Sequence, residues 1–254
     1  MILTSNPYNP LSPDPRTAVV AVQNLVYAYS RQEPILRQMS FILNEGERVA
    51  LLGPTGSGKS TLLENLIGLK QPQSGEIWIQ GIRVEPKTLP QVRRQIGFCF
   101  QDANDQLFMP TILEDITFGP RNYGVPLPEA IDKARRLLAL FSLEAYANRS
   151  VHELSGGQRR LAALAAILAL EPSVLILDEP TNGLDPAWRR HLAQVLFDLP
   201  VQVLLIASHD LHWVGKVTQR ALVLSQGQIK VDAEIQPLLK EGNTLDELGL
   251  PVDW

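Results

Sequence analysis

Cysteine is almost missing from this sequence: Cys99 is the single one in 254 residues. That excludes an internal disulfide and a cysteine-cluster metal site, and it fits a reducing compartment such as a cytoplasm. Cys99 lies in the apolar stretch Ile96-Gly97-Phe98-Cys99-Phe100 and reads as a buried strand thiol. Long apolar runs are missing too. The longest, Leu161 to Leu170, falls far short of the ~20 residues that span a bilayer, so no membrane-crossing helix is expected. The N-terminus lacks the basic start and apolar stretch of a signal peptide and carries Pro7, Pro10, Pro13 and Pro15 instead. Residues 1–17 read as a loose tail. Nor is there an excess of positive charge: 23 Lys and Arg stand against 27 Asp and Glu, a net charge of −4. Without a broad basic face, nucleic acid is not expected as a partner. What is present, 45% apolar and 20% charged residues, suffices for one sizeable core, or a core plus a smaller lobe.

Strands are expected over Ala18 to Tyr29 and within Phe41 to Leu52, which leads into a glycine cluster. A helix should run from Lys59 to about Leu69, followed by a short strand, Glu76 to Ile79, between Ser74-Gly75 and Gln80-Gly81. Pro128 opens a helix over Ala130 to Phe141, where Ile131, Ala134, Leu137, Leu138 and Phe141 recur at helical spacing. Ser155 is a good N-cap for a helix continuing through Leu161 to Leu170. The uninterrupted apolar runs Val174 to Leu177 and Val201 to Ala207, separated by a helix from Ala187 to Leu196, indicate a parallel sheet covered on both faces. Residues 100–160 interrupt that alternation with mostly helical material.

Gly53-Pro54-Thr55-Gly56-Ser57-Gly58-Lys59-Ser60 matches the phosphate-binding loop and sits in its required place, between the strand Val49 to Leu52 and a helix. Glycines let backbone N–H groups wrap an anion, and the helix N-terminus adds partial positive charge. Lys59 should reach the β- and γ-phosphates, Ser60 should ligate Mg²⁺, and Thr61 continues the nucleotide-binding loop into the helix. Val174 to Leu177 ends in Asp178-Glu179. Asp178 would hold Mg²⁺, directly or through water, and Glu179 would orient or deprotonate the attacking water. His209, just past the run ending at Ala207, should share the same sheet edge and contact the γ-phosphate. His152, His191 and His212 read as surface or packing residues.

Leu154-Ser155-Gly156-Gly157-Gln158 places two glycines after an N-cap serine and makes a second anion cradle, distinct from the first. Phosphate loop, this string, Asp178-Glu179, Gly183-Leu184-Asp185 and His209, in that order, resemble an ATP-binding-cassette (ABC) ATPase over about residues 18–230. The resemblance implies an α/β P-loop fold: a mainly parallel sheet flanked by helices, an N-terminal antiparallel portion, and a helical subdomain inserted at about 102–165, with 231–254 a small appendage. It implies ATP and Mg²⁺ as cofactors, and two cassettes closed head to tail, so that Leu154 to Gln158 of one chain meets the ATP held by Lys59 of the other. Asp185 would lie at that interface. Tyr29, or less well Tyr27, would stack on adenine. Gln101 would touch Mg²⁺ or its water.

The sequel Gln101-Asp102-Ala103-Asn104-Asp105-Gln106-Leu107-Phe108, then Phe118-Gly119-Pro120 and Asn122, resembles the energy-coupling-factor branch, which drives uptake of cobalt, nickel and vitamins. Ala103 departs from that branch's usual proline and Leu161 from its usual basic residue. The implied partners are a second ATPase subunit, the same or different, a transmembrane coupling protein and a membrane-embedded substrate-binding protein, with this chain peripheral on the cytoplasmic face. The alternatives are another ABC transporter, a non-transport ABC ATPase, or a P-loop kinase, in which the cradle at Ser155 would have no use.

Overall fold

The computed structural model describes residues 15–30, 33–102 and 106–250. Most of the expected tail, residues 31–32 and 103–105 and the last four residues lie outside them.

Two sheets carry the fold. The first is antiparallel, in the order β2-β1-β4-β5, from Val20–Tyr27 (β1), Leu36–Leu43 (β2), Ser74–Ile79 (β4) and Ile82–Arg83 (β5). The second runs β10-β9-β3-β8-β7-β6, from Arg48–Leu52 (β3), Ile96–Cys99 (β6), Val174–Asp178 (β7), Val203–Ala207 (β8), Arg220–Ser225 (β9) and Gln228–Glu234 (β10). It is parallel except for β10, which pairs antiparallel with β9. The run Phe41 to Leu52 is thus two strands in different sheets. Its break is the turn at Asn44 to Glu47, where the Glu47 carboxylate accepts the Asn44 N–H at 2.7 Å.

The parallel sheet is the middle layer, and its side-chain alternation sets what covers it. Val49, Leu51, Val174, Ile176, Val203, Leu205, Leu222 and Leu224 face a core shared with the antiparallel sheet. That core also takes Leu62, Leu63 and Leu66 of α1 (Lys59–Leu66) and Val92 of α2 (Leu89–Gln95). Ala50, Leu52, Leu175, Leu177, Leu204, Ile206 and Val223 face the other way. Covering them are α3 (Ile112–Asn122), α4 (Leu127–Leu140), α5 (Gly156–Leu168), α6 (Pro186–Asp198) and α7 (Leu211–Val217). The apolar runs are continuous because both faces are buried.

α1 stops at Leu66, short of the expected Leu69, because Gly68 at φ +65° turns the chain out of the helix. In α4 the spacing read from sequence buries Ala134, Leu138 and the following Phe141, with Ile131 and Leu137 half-buried. The chain between 106 and 155 is the helical material expected there. α5 follows it directly, starting at Gly156, and its second half, through Leu168, is buried in the main core.

The boundary placed at residue 230 falls inside β10. Arg220, 3% exposed, explains why that strand stays on the sheet. Its guanidinium grips both Asp232 carboxylate oxygens at 2.7 and 2.8 Å, the Glu47 carboxylate at 3.0 Å and the Ile42 carbonyl at 3.0 Å. Beyond it, α8 (Ile235–Leu238) and α9 (Gly242–Glu247) bury Ile235, Leu238 and Leu245 in the main core, Leu250 follows them into it, and a Cβ at Gly249 would lie 3.5 Å from Pro54.

Candidate functional site

The loop Gly53 to Ser60 leaves the carboxyl end of β3, the middle of the parallel sheet, where α/β folds collect ligands. Gly53 sits at φ +154°, and a Cβ there would lie 2.3 Å from the Leu224 carbonyl oxygen. Gly58 is the N-cap of α1 at φ +106°, with no side-chain hydrogen bond capping the helix. Only glycine meets both demands without strain, and the uncapped terminus offers N–H groups to an anion. Ser57 is 7% exposed and its Oγ has no hydrogen-bond partner.

Thr55, Gly56, Gly58, Lys59, Ser60 and Thr61 line a cavity of about 440 Å³ together with Tyr29, Ile35, Gln101, Asp178, Glu179, Asn182 and His209. Residues spread over 180 positions of chain therefore meet at one sheet edge. Lys59 Nζ donates to the Gly53 and Pro54 carbonyls at 2.6 and 3.2 Å. Burial pushes its pKa down, while Glu179 and Asp178 push it back up. Burial also holds the Asp178 carboxyl above the usual carboxylate range, opposed by a hydrogen bond with Ser60 and raised further by Glu179.

The direction of the Asp178 shift fixes a linkage. A raised folded-state pKa means that the folded protein holds the proton more tightly, so stability is greatest below the unfolded pKa and is lost as pH rises through the folded one. At neutral pH the buried charge opposes folding. Asp178→Asn should therefore raise the melting temperature of the chain at pH 7 by roughly a few degrees, with the gain shrinking as pH falls to 4. Thermal melts across that pH range check the sign.

Glu179 adopts φ +49°, a left-handed conformation unusual for a side-chain-bearing residue. Its N–H donates to the Ala207 carbonyl at 2.9 Å, pinning it to β8. Its carboxylate receives His209 Nδ1 at 2.8 Å and the His209 backbone N–H at 3.3 Å. The Glu179 side chain is 10% exposed against 66% for His209, so a shielded carboxylate is oriented by an accessible imidazole. Strain of this kind collects at working sites and costs ~1–3 kcal/mol. Tyr29 Oη is hydrogen-bonded to Thr61 Oγ1 at 3.2 Å, Lys70 Nζ lies 4.4 Å from its ring centroid, and the Tyr27 ring meets it edge-on at 5.2 Å.

Leu154 to Gln158 and Asp185 are not in this cavity. Ser155 caps α5 through a capping box, its Oγ accepting the Gln158 N–H at 3.2 Å while Gln158 Oε1 accepts the Ser155 N–H at 2.9 Å. Ser155 and Gly156 are exposed, and Leu154 and Gly157 are buried beneath them. Asp185 is exposed and caps α6, accepting the Ala187 and Trp188 N–H groups at 2.8 and 2.9 Å. One chain thus has a cavity at the N-terminus of α1 and, elsewhere on its surface, a second exposed helix N-terminus, capped by Ser155.

Three contributors escaped the sequence reading. Ile35 and Asn182 line the cavity but carry no motif chemistry. Arg160, on α5, is 6% exposed and donates to the Phe100 carbonyl at 3.2 Å and to the Gln101 carbonyl, holding the loop that presents Gln101. The one signal for Arg160 was a charge set between glycines and an apolar helix. Cys99 is buried and free, its thiol pushed up to about 11 by burial, in keeping with a packing role.

Residues 36–182 match the ABC transporter family. The chain belongs to the ABC transporter ATPases. A putative ABC transporter ATP-binding protein of Streptomyces coelicolor is 42% identical over 228 residues, covering 90% of this chain and 87% of the relative. The energy-coupling factor transporter ATP-binding protein EcfA of Methanothermobacter thermautotrophicus is 38% identical, covering 91% and 76%. Among solved structures, cbiO1 from Clostridium perfringens, described as part of the ABC transporter complex cbiONQ, superposes with a TM-score of 0.81 at 31% identity, covering 92% of this chain and 95% of that one. A dimeric ATP-binding cassette in a post-hydrolysis state with ADP and Pi superposes with a TM-score of 0.77 at 28% identity, covering 85% and 98%. This ABC ATPase is thus an ATP-hydrolysing subunit of a membrane-associated transporter, and relatives of the energy-coupling-factor type stand beside it. No helix among its described residues is long and apolar enough to cross a membrane.

Proposed function

We propose that the 440 Å³ cavity binds ATP, with adenine against Tyr29 and the phosphates in the loop Gly53 to Ser60. Lys59 leaves the Gly53 and Pro54 carbonyls for the β- and γ-phosphates, whose charge adds to that of Glu179 and Asp178 in offsetting its burial. Ser60, Asp178 and Gln101 offer hydroxyl, carboxylate and amide oxygens, a hard donor set that suits Mg²⁺. When bound, Mg²⁺ would neutralise charge on the transferring phosphoryl group. Glu179 orients the attacking water and accepts its proton, and His209 fixes the Glu179 carboxylate and meets the γ-phosphate.

The single observation that carries this reading is the meeting of Lys59, Asp178 and Glu179 at the mouth of an uncapped helix while a second anion cradle faces outward. A cradle with no phosphate site of its own fits the ATP of a facing cassette. We take a second copy of this chain as the simplest partner, since it contains both halves, with Asp185 beside the seam. The subunit works on the cytoplasmic face in an energy-coupling-factor importer for a transition-metal ion or a vitamin, supported by the sequence Gln101 to Phe108 and by the EcfA and cbiO1 likenesses.

The membrane partner docks beside that loop. Phe108 and Phe118, 65% and 39% exposed, pack edge to face at 4.9 Å. Asp115 on α3 holds the first of them by accepting the Phe108 and Met109 N–H groups, each at 3.0 Å. Replacing both rings, Phe108→Ser with Phe118→Ser, should leave hydrolysis by the isolated chain within about twofold while solute uptake falls by tenfold or more, as expected when aromatic anchors leave an interface. Affinity purification from detergent-solubilised membranes tests the assignment. A multi-span coupling protein with a small membrane-embedded binding protein supports it; a generic permease with a soluble binding protein rejects the branch; soluble partners alone reject the docking reading.

A further inference from the structure

We infer that Arg160 is a positioning residue that links the outward cradle Ser155 to Gln158 to Gln101, and so makes the two ATP sites of a closed pair of cassettes act together. The inference rests on the shared-site reading above and adds the element that carries the signal.

α5 begins at the cradle, and Arg160 lies five residues after the Ser155 N-cap, about 7.5 Å along the helix axis. Between them the helix is fixed at its start by the Ser155–Gln158 capping box, and after Arg160 it is buried continuously from Leu161 to Ala165. It can shift as a rigid piece but cannot bend locally without opening the core. At its side, the Arg160 guanidinium takes the carbonyls of two successive residues, Phe100 at 3.2 Å and Gln101. Those residues follow β6 and are the point from which the Gln101 side chain enters the cavity with Lys59, Ser60 and Asp178.

A buried guanidinium is costly unless its N–H donors are satisfied. If the cradle moved on α5 while the loop stayed, the buried Arg160 guanidinium would lose its two acceptors, the carbonyls of half-buried Phe100 and exposed Gln101. The cheaper motion carries the loop along. Because the cradle meets the partner's ATP and Gln101 meets this chain's own, Arg160 joins two sites that share no ligand. Lysine would not substitute: a point ammonium cannot span two carbonyls as the planar fork does.

The test compares wild type, Arg160→Met and Arg160→Lys by nucleotide affinity of the isolated chain and by the ATP dependence of steady-state hydrolysis. For Arg160→Met, affinity for a fluorescent ATP analogue should stay within about threefold, the maximal rate should fall about tenfold, and the Hill coefficient should drop to unity from a wild-type value above it. Arg160→Lys should fall between. A merely structural role would lower the melting temperature and the rate while leaving the Hill coefficient unchanged, and that result overturns the inference. If Arg160→Met does not fold, Arg160→Lys decides the matter alone, since an unchanged Hill coefficient there overturns the inference too. A wild-type Hill coefficient of unity would instead overturn the shared-site reading, and the inference with it.

Discussion

Changing Glu179 to Gln is expected to slow ATP turnover by about 10²–10⁴-fold, or about 3–5 kcal/mol of transition-state stabilisation, while ATP still binds. The amide keeps the size of the carboxylate, so the left-handed backbone at φ +49° and the N–H bond to Ala207 at 2.9 Å survive. The His209 N–H at 3.3 Å can still be accepted by the amide oxygen. What is lost is the ability to take a proton from water. Neither Lys59 nor the loop glycines change, so affinity should stay within a few-fold. Single-turnover hydrolysis and equilibrium binding separate the two effects; turnover near the wild-type rate would remove Glu179 from its role.

The second large effect is expected where the fold tolerates change. At Gly156 a Cβ would meet nothing within 4 Å, and the residue is not among the glycines held at positive φ. It lies in the first turn of α5, where an acidic side chain stabilises the helix by ~0.3–1 kcal/mol. Gly156→Asp should therefore leave the melting temperature equal or slightly higher, and ATP binding to the isolated chain intact. Yet it should cut hydrolysis by about 10²-fold or more, because it sets a carboxylate against the phosphates of a facing ATP. Gly157 makes a poorer probe: its Cβ would come within 3.2 Å of Leu184 and near Trp188, so loss there would mix packing with function. An active Gly156→Asp would leave the outward cradle without the role assigned to it.

The parts of the site legible in the sequence are those whose chemistry is contiguous. The phosphate loop needs its glycines side by side, and a central parallel strand buried on both faces must be apolar until it ends, so Asp178-Glu179 stood out at the end of β7. Ser155 was legible as an N-cap because capping is local. The unread parts depend on contacts across the chain. Arg160 and Arg220 look like ordinary surface charges in a string of residues, yet both are nearly buried, satisfied by carbonyls of residues 100 and 101 and by acids at 47 and 232. Residue 230 lies inside β10 for the same reason, since nothing local announces that Asp232 pairs with Arg220. His209 was placed at the sheet edge from its distance past a strand, but its 2.8 Å contact with Glu179 is set by the pairing of β7 with β8.

The central claim is that each ATP is held by one chain and completed by another. Mixing Lys59→Ala chains with Gly156→Asp chains in equal amounts tests it most directly. Each variant alone should be nearly inactive, but half of the pairs formed at random contain one of each, with one intact Lys59 site facing one intact cradle. By that symmetry about a quarter of the wild-type hydrolysis rate is the ceiling for the mixture, and coupling between the two sites of a pair sets the recovered rate below it but clearly above that of either parent. A mixture no more active than the sum of its two inactive parents would contradict the account.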